Sequence, residues 1–288
     1  MFLVKRINHF LSLIKFSHTI FALPFAIIGF LLAVNHSHHS FSSKLFVYVI
    51  LCMVFARSGA MAFNRYIDRH FDALNPRTKI REIPAGIVSE KSALWFVIIC
   101  SLLFIATTYF INTLCFYLSP VALLVVLGYS YTKRFTALCH IVLGIGLSLA
   151  PIGAYLAVTG EFSPLPLIFS FVVLFWVSGF DIIYALQDEE FDRAQQLKSI
   201  PELLGKSKAL RFSELLHLFS AALVIIAGLY AGFGIIYWAG ASVFCGLLFY
   251  QHTLVRPNDL SKVNLAFATT NGIASVLFAV FTSIDLIL

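Results

Sequence analysis

Residues 165–192 read LPLIFSFVVLFWVSGFDIIYALQDEEFD, and this stretch decides the fold. From Leu165 to Phe180 it carries no charge, and with Ile182–Leu186 it reaches the roughly 20 apolar residues needed to cross a hydrocarbon layer of about 30 Å. It then turns acidic, with Asp181 already inside the apolar run and Asp188, Glu189, Glu190 and Asp192 closing it. A helix apolar on every face is a membrane span or the centre of a large core. An aspartate embedded in such a span marks function.

Working outward, the whole chain has this character. Of 288 residues, 60 % are hydrophobic, only 12 % are charged, and 30 are Phe; mean hydropathy is +0.91. Soluble domains are about 45–50 % apolar and about 25 % charged, so a water-soluble globule, a disordered chain, a collagen, a coiled coil and a disulfide-stapled module are all excluded. Nine stretches are apolar enough to span, approximately 16–34, 44–66, 94–111, 114–131, 137–158, 165–185, 213–230, 234–250 and 265–286. The expected fold is an all-α polytopic membrane protein, a single transmembrane domain over 1–288 whose helices surround a central cavity. Lys5–Arg6 leads into a long apolar run with no small-residue cleavage site, so no cleavable signal peptide is expected.

Charge placement gives orientation. When the connections are assigned alternately to two sides, one side collects Lys5, Arg6 and Lys15, the loop with Arg69, Arg77, Lys79, Arg81 and Lys91, then Lys133, Arg134, Arg193, Lys198, Lys206, Lys208, Arg211, Arg256 and Lys262. The other side has only Lys44. The positive-inside rule makes the first side cytoplasmic, with the amino terminus in and the carboxyl terminus out, in the cytoplasmic (inner) membrane of a cell. The net charge of +6 is therefore topological, and no nucleic-acid partner is implied. The five Cys lie singly inside apolar segments and read as small buried hydrophobes.

The acids gather on that same side in two sets. Asn64, Asp68 and Asp72 close the second span at i, i+4 and i+8, one stripe over two helical turns. Asp181, Tyr184, Asp188 and Asp192 close the sixth at i, i+3, i+7 and i+11. Same-face carboxylates repel, and more strongly at a membrane edge. A divalent cation compensates them, and Mg²⁺ binds through one or two carboxylates plus substrate phosphates. Two facing helices of this kind would hold a diphosphate between them. Arg77, Lys79, Lys133, Arg134 and Lys198 interleave with the acids and suit phosphate. Arg57 lies two turns deeper than Asn64 on the same face. Its guanidinium needs an anion, either a protein carboxylate such as Asp181 or the carboxylate of a substrate.

Asn64-x3-Asp68-x3-Asp72 together with Asp181-x2-Tyr184-x3-Asp188-x3-Asp192 resembles the UbiA superfamily of intramembrane aromatic prenyltransferases. Arg57, the Asn75-Pro-Arg77-Thr loop and Tyr-Thr-Lys133-Arg134 look closest to its 4-hydroxybenzoate polyprenyltransferases. The resemblance implies a Mg²⁺-dependent transfer of a polyprenyl group from polyprenyl diphosphate to an aromatic hydroxy acid in respiratory quinone synthesis, at a site opening toward the cytoplasm. It implies metal and diphosphate roles for Asn64, Asp68, Asp72, Asp188 and Asp192, and diphosphate contacts for Lys133 and Arg134. It places Arg57 on the carboxylate of the acceptor, and Asp181 and Tyr184 near the ionising carbon. A dihydroxynaphthoate, as in menaquinone synthesis, also fits Arg57. A transporter with an acidic cation pathway is the reading from another class; it would favour broken helices at mid-membrane, whereas these acids cluster at one edge. Three lesser features read as structural: the His36-x-His38-His39 turn as a polar tip, Gly144-Ile-Gly146 as a packing seam, and the Phe excess as mostly lipid-facing.

Overall fold

The computed structural model describes residues 9–14, 21–36 and 39–288. Lys5, Arg6, Lys15, His38 and the first residues of the first expected span lie outside them. Among the described residues the regular structure is helical, apart from one isolated bridge between Arg256 and Asp259. In chain order the helices are α1 (Leu23–His36), α2 (Ser43–Leu74), α3 (Glu90–Tyr109), α4 (Thr113–Thr132), α5 (Cys139–Thr159), α6 (Pro164–Ala185), the short α7 (Glu189–Ala194) and α8 (Ile200–Leu204), α9 (Lys206–Ala231), α10 (Ile235–Leu254) and α11 (Asn271–Ile287).

Among the described residues, seven helical segments are long and apolar enough to cross a membrane: α2 to α5, the run Pro164–Ala194, α9, and the run Leu265–Ile287. Two further apolar stretches are helical as well, α1 as a shorter apolar helix and α10 over 20 residues. Side chains such as Trp95, Leu102, Tyr117, Leu124, Leu229 and Phe249 stand exposed on the outside, an apolar surface suited to lipid. The aromatic excess does not all face outward. Phe25, Phe169, Trp176, Tyr237, Phe244 and Phe278 are fully buried and pack together as the largest core cluster. Ring pairs such as Phe244–Phe278, 5.0 Å apart, form there because α1, α6, α10 and α11 meet with nothing but side chains to fill the gap.

Local chemistry sets the helix limits. Ser42 caps α2, its Oγ accepting from Leu45 N at 3.3 Å. No proline follows until Pro76 and the single Gly59 is absorbed within the helix, so α2 runs 32 residues, about 48 Å at 1.5 Å per residue. That exceeds the hydrocarbon layer and carries Asp68 and Asp72 beyond it. Asn112 caps α4 through Oδ1 to Cys115 N (2.8 Å), while its Nδ2 donates to Leu156 O (2.8 Å) at the far end of α5. The α5–α6 turn needs a left-handed residue, and Gly160 (φ 70°) supplies it. The face expected to continue straight through Asp188 and Asp192 does not. Residues Leu186–Asp188 tighten into a 3₁₀ turn before α7, which redirects the last acids.

Helices α2, α3 and α4 pack on one another, and α6 packs on α5 and α9; α5 and α1 join the two groups, and α11 returns to pack on α10 and α1. The α5–α6 seam is closest at Gly144, where a Cβ would lie 2.3 Å from Ser178 Oγ and 2.6 Å from Leu174 O. Gly144→Ala is therefore expected to destabilise the bundle by about 1–3 kcal/mol, seen as a lower melting temperature in detergent. Gly153→Ala on the same helix, with open space at its Cβ, leaves it unchanged.

Candidate active site

The last two turns of α2 present Asn64, Asp68 and Asp72 to a cavity of about 630 Å³. The end of α6 and the 3₁₀ turn bring Asp181, Tyr184 and Asp188 to the same cavity, and α7 brings Asp192. The two acidic sets, 120 residues apart from Asp68 to Asp188, thus share one chamber. Its charged end lies between α2 and α6; the remainder runs between α2, α4 and α5 along apolar side chains such as Val49, Ile111, Leu118 and Leu156.

Each acid at the charged end has a basic partner. Arg134 Nη2 reaches Asp68 Oδ1 at 2.9 Å, and Asn64 Nδ2 donates to Asp68 Oδ2 at 3.1 Å. Arg81 Nη1 lies 2.6 Å from Asp72 Oδ1, and Lys133 Nζ lies 2.9 Å from Asp192 Oδ1. Arg77 grips Asp188 with two nitrogens, Nε at 3.1 Å from Oδ1 and Nη2 on Oδ2, and its Nη1 donates to Tyr184 Oη at 2.8 Å. Asn75 ties the loop to the second set, with Nδ2 donating to Asp188 Oδ1 (3.1 Å) and Oδ1 accepting from Arg77 N (2.9 Å). Burial alone would lower the pKa values of Arg77 and Lys133. The facing Asp188 and Asp192 more than reverse this and hold both above their ordinary values.

Deeper in the chamber the arrangement changes. Asp181 Oδ2 pairs with His140 Nδ1 of α5 at 2.7 Å. Arg57 lines the cavity but, among the described residues, forms no ion pair, and its buried Nε has no hydrogen-bond partner. Of the two anions expected for Arg57, the protein carboxylate is thus not in place. Tyr184 stacks on Phe267 with ring centroids 4.3 Å apart.

Two expected phosphate ligands are not at the chamber. Lys79 is exposed and outside the lining, because Thr78 Oγ1 bonds back to Asp72 O (3.1 Å) and turns Thr78 and Arg81 inward instead. Lys198 is also exposed; only its main chain meets the site, its N donating to Lys133 O at 2.7 Å. Arg65, Tyr129 and His140, to which sequence reasoning assigned no role, also line the cavity, as do Asn75 and Arg81, which it placed in the loop without assigning either a ligand. An ionisable residue inside an apolar run was the available signal for His140.

The donor set fits Mg²⁺. It is made of hard carboxylate oxygens with one amide, and Asp72 Oδ2 is buried with no hydrogen-bond partner among the described residues. No three His, Cys, Asp or Glu among those residues come close enough to hold an ion alone. Phosphate oxygens would have to complete the shell, which is how Mg²⁺ is ordinarily held.

Known proteins resemble this chain over most of its length. The UbiA prenyltransferase family matches residues 22–280. The chain is 32 % identical over 231 residues to the 4-hydroxybenzoate octaprenyltransferase of Nitrosospira multiformis, covering 80 % of this chain and 79 % of that protein. It is 30 % identical over 239 residues to the same enzyme of Francisella tularensis subsp. mediasiatica, 83 % of each. The apo structure of a UbiA homolog from Aeropyrum pernix K1 superposes with a TM-score of 0.81 at 31 % identity, over 94 % of this chain and 97 % of that one. A UbiA homolog from Archaeoglobus fulgidus bound to GPP and Mg²⁺ shares the fold, with a TM-score of 0.75 at 22 % identity over 97 % of this chain and 100 % of that one.

Removing Arg77 takes from Asp188, in a largely enclosed place, its salt-bridge partner and leaves the Asn75 amide as its hydrogen-bond donor among the described residues. Arg77→Ala is expected to lower the stability of the ligand-free protein by on the order of 1–3 kcal/mol. Thermal unfolding with and without magnesium and inorganic diphosphate checks this, the added ligand recovering part of the loss.

Proposed function

The chain belongs to the UbiA prenyltransferase family, and from that premise we propose that it transfers a polyprenyl group from polyprenyl diphosphate to 4-hydroxybenzoate, a step of ubiquinone synthesis. The observation that carries this reading is the one chamber in which two carboxylate sets and their basic partners occupy one end, while Arg57, a guanidinium with no ion pair among the described residues, lines the same chamber. The 4-hydroxybenzoate octaprenyltransferases of similar sequence support the acceptor. The family match sets the transporter reading aside.

In this reading the whole chain is one domain of nine crossings. The amino terminus and the charged end of the chamber face the cytoplasm, the carboxyl terminus lies outside, and the membrane is the cytoplasmic one. Asn64, Asp68, Asp72, Asp188 and Asp192 hold Mg²⁺ with the donor's diphosphate. Bound Mg²⁺ would offset the charge that builds on the departing diphosphate. Arg77, Arg81, Lys133 and Arg134 lie against those carboxylates, and their long, flexible side chains would let them reach phosphate oxygens of the donor. Charges set in place before the reaction in this way usually contribute more to enzymatic rate than any other effect. The prenyl chain follows the apolar part of the cavity between α2, α4 and α5. Arg57 receives the acceptor's carboxylate and sets the ring so that a carbon beside the hydroxyl attacks the allylic cation. The apolar walls keep water from that cation, and the ring face of Tyr184, stacked on Phe267, lines its path.

Membranes carrying the protein, given Mg²⁺, labelled polyprenyl diphosphate and each candidate acid, are expected to form prenylated 4-hydroxybenzoate by mass spectrometry; product from the dihydroxynaphthoate alone would replace the acceptor. Asp68→Ala and Asp188→Ala are expected to lower turnover at least about 10²–10³-fold with membrane insertion intact, and full activity in both would refute the site. Arg57→Ala is expected to raise KM for the acid about 10–100-fold, as loss of a charge-assisted hydrogen bond does, with KM for the diphosphate unchanged.

A further inference from the structure

We propose that Asp181, held in place by His140, is the base that removes the ring proton after prenyl transfer. This rests on the aromatic prenylation described above and adds its last step. When a ring carbon bearing hydrogen attacks the allylic cation, a carbon–carbon bond forms and the ring is left without aromaticity. The C–H bond at that carbon must then break, its electron pair returning to the ring and its proton passing to a base.

The four acids at the charged end are committed to cations in the free protein, and to metal and diphosphate in the proposed complex. Asp181 is a cavity carboxylate outside that set. It lies near the end of α6, seven residues before Asp188, and so further into the bundle than the 3₁₀ turn that carries Asp188, on the cavity that Arg57 also lines. A ring anchored by its carboxylate on Arg57 therefore lies between the diphosphate end and this wall.

The side chain is arranged for the role. Oδ2 takes the 2.7 Å hydrogen bond from His140 Nδ1, while Oδ1 has no hydrogen bond among the described residues. The Asp181 side chain is 23 % exposed and that of His140 only 5 %. A lone carboxylate between Phe180 and Ile182 would carry a large desolvation cost, and one directed donor offsets it without occupying the second oxygen. His140 Nε2 is buried without a partner, so the imidazole acts through Asp181 rather than on the ring. Ser178 Oγ, donating to His140 O at 3.2 Å, fastens the backbone of α5 to α6 where the pair forms. His140 is thus a positioning residue and Asp181 the catalytic one. The proton moves to Asp181 Oδ1, leaving a neutral acid that returns it to water after product leaves.

The test uses purified full-length protein in lipid nanodiscs with Mg²⁺, polyprenyl diphosphate and 4-hydroxybenzoate, unlabelled or deuterated at both carbons next to the hydroxyl. Asp181→Asn is expected to lower kcat about 10²-fold, the lower range for a general base. Its deuterium isotope effect on kcat should exceed that of the wild type, because proton removal becomes limiting. His140→Ala should show the same raised isotope effect, whereas His140→Asn, whose amide donor replaces Nδ1–H, should restore wild-type behaviour. Product formed by Asp181→Asn with no larger isotope effect than wild type would overturn this proposal alone, as would equal behaviour of the two His140 variants. Absence of prenylated hydroxybenzoate from the wild-type reaction would overturn the acceptor reading and this step together.

Discussion

Carboxylates held at the edge of a membrane interior carry a desolvation cost of several kcal/mol each unless a counter-charge is near, and the rest of this molecule is arranged around that cost. Asp68, Asp72, Asp181, Asp188 and Asp192 each have a basic partner, drawn from α4, the loop after α2, and α5. The pairs at the charged end all use Arg or Lys, whose flexible stems can shift by several ångströms. The pair deeper in the chamber uses His140, a short and rigid ring buried in α5. In the proposed reaction, movable counter-ions lie where ligands would bring new charge, and the fixed one lies beside the proposed base. That division follows from side-chain length as much as from charge.

The same constraint explains why the loop at 75–81 is ordered by polar bonds rather than by a hydrophobic core. Asn75 and Arg77 both reach Asp188, and Thr78 and Arg81 both reach Asp72. The loop is in effect a clasp joining the end of α2 to the 3₁₀ turn after α6. Since α2 and α6 belong to different groups of packed helices, the two acidic sets keep their spacing mainly through this clasp and through α5 between them. The tightening at Leu186–Asp188 serves the clasp as well: a straight α-helical continuation would have kept Asp188 on the α6 face, away from the line of Arg77.

What could be read from the sequence depended on whether the relevant periodicity was local. Asn64, Asp68 and Asp72 lie on one unbroken helix, so their spacing alone placed them on one face. The positions of Asp188 and Asp192 were legible but their shared helical face was not, because the 3₁₀ turn answers to a contact 111 residues away. Lys79 and Arg81 looked equivalent in the loop. Only the bond from Thr78 to the end of α2 decides which of them turns inward. His140 and Asp181 stand 41 residues apart on separate spans, and a partner across a helix–helix seam leaves no trace in spacing. Arg57 was readable as a charge in need of an anion, but not the identity of that anion, since Asp181 proved to be taken by His140.

The wall opposite the clasp is held in the reverse manner, by buried and rigid contacts. Residues Leu265–Thr270 form a π-helical turn, which leaves backbone carbonyls without their usual partners. Asn271 Nδ2 donates to Ala266 O and Phe267 O at 2.9 and 3.0 Å, and its Oδ1 accepts from Trp176 Nε1 at 2.8 Å. Gln251 and His217 extend this network between α10 and α9. Every member is enclosed by protein, where a satisfied polar network fixes one arrangement because any other would strand a donor or acceptor. The widened turn so fixed places Phe267 against Tyr184, whose hydroxyl in turn accepts from Arg77. A carbocation path needs an apolar, electron-rich wall that does not yield when charge moves at its other end. Here that wall is anchored to the bundle interior by Asn271, while the basic side chains near it are held through flexible stems to their carboxylate partners.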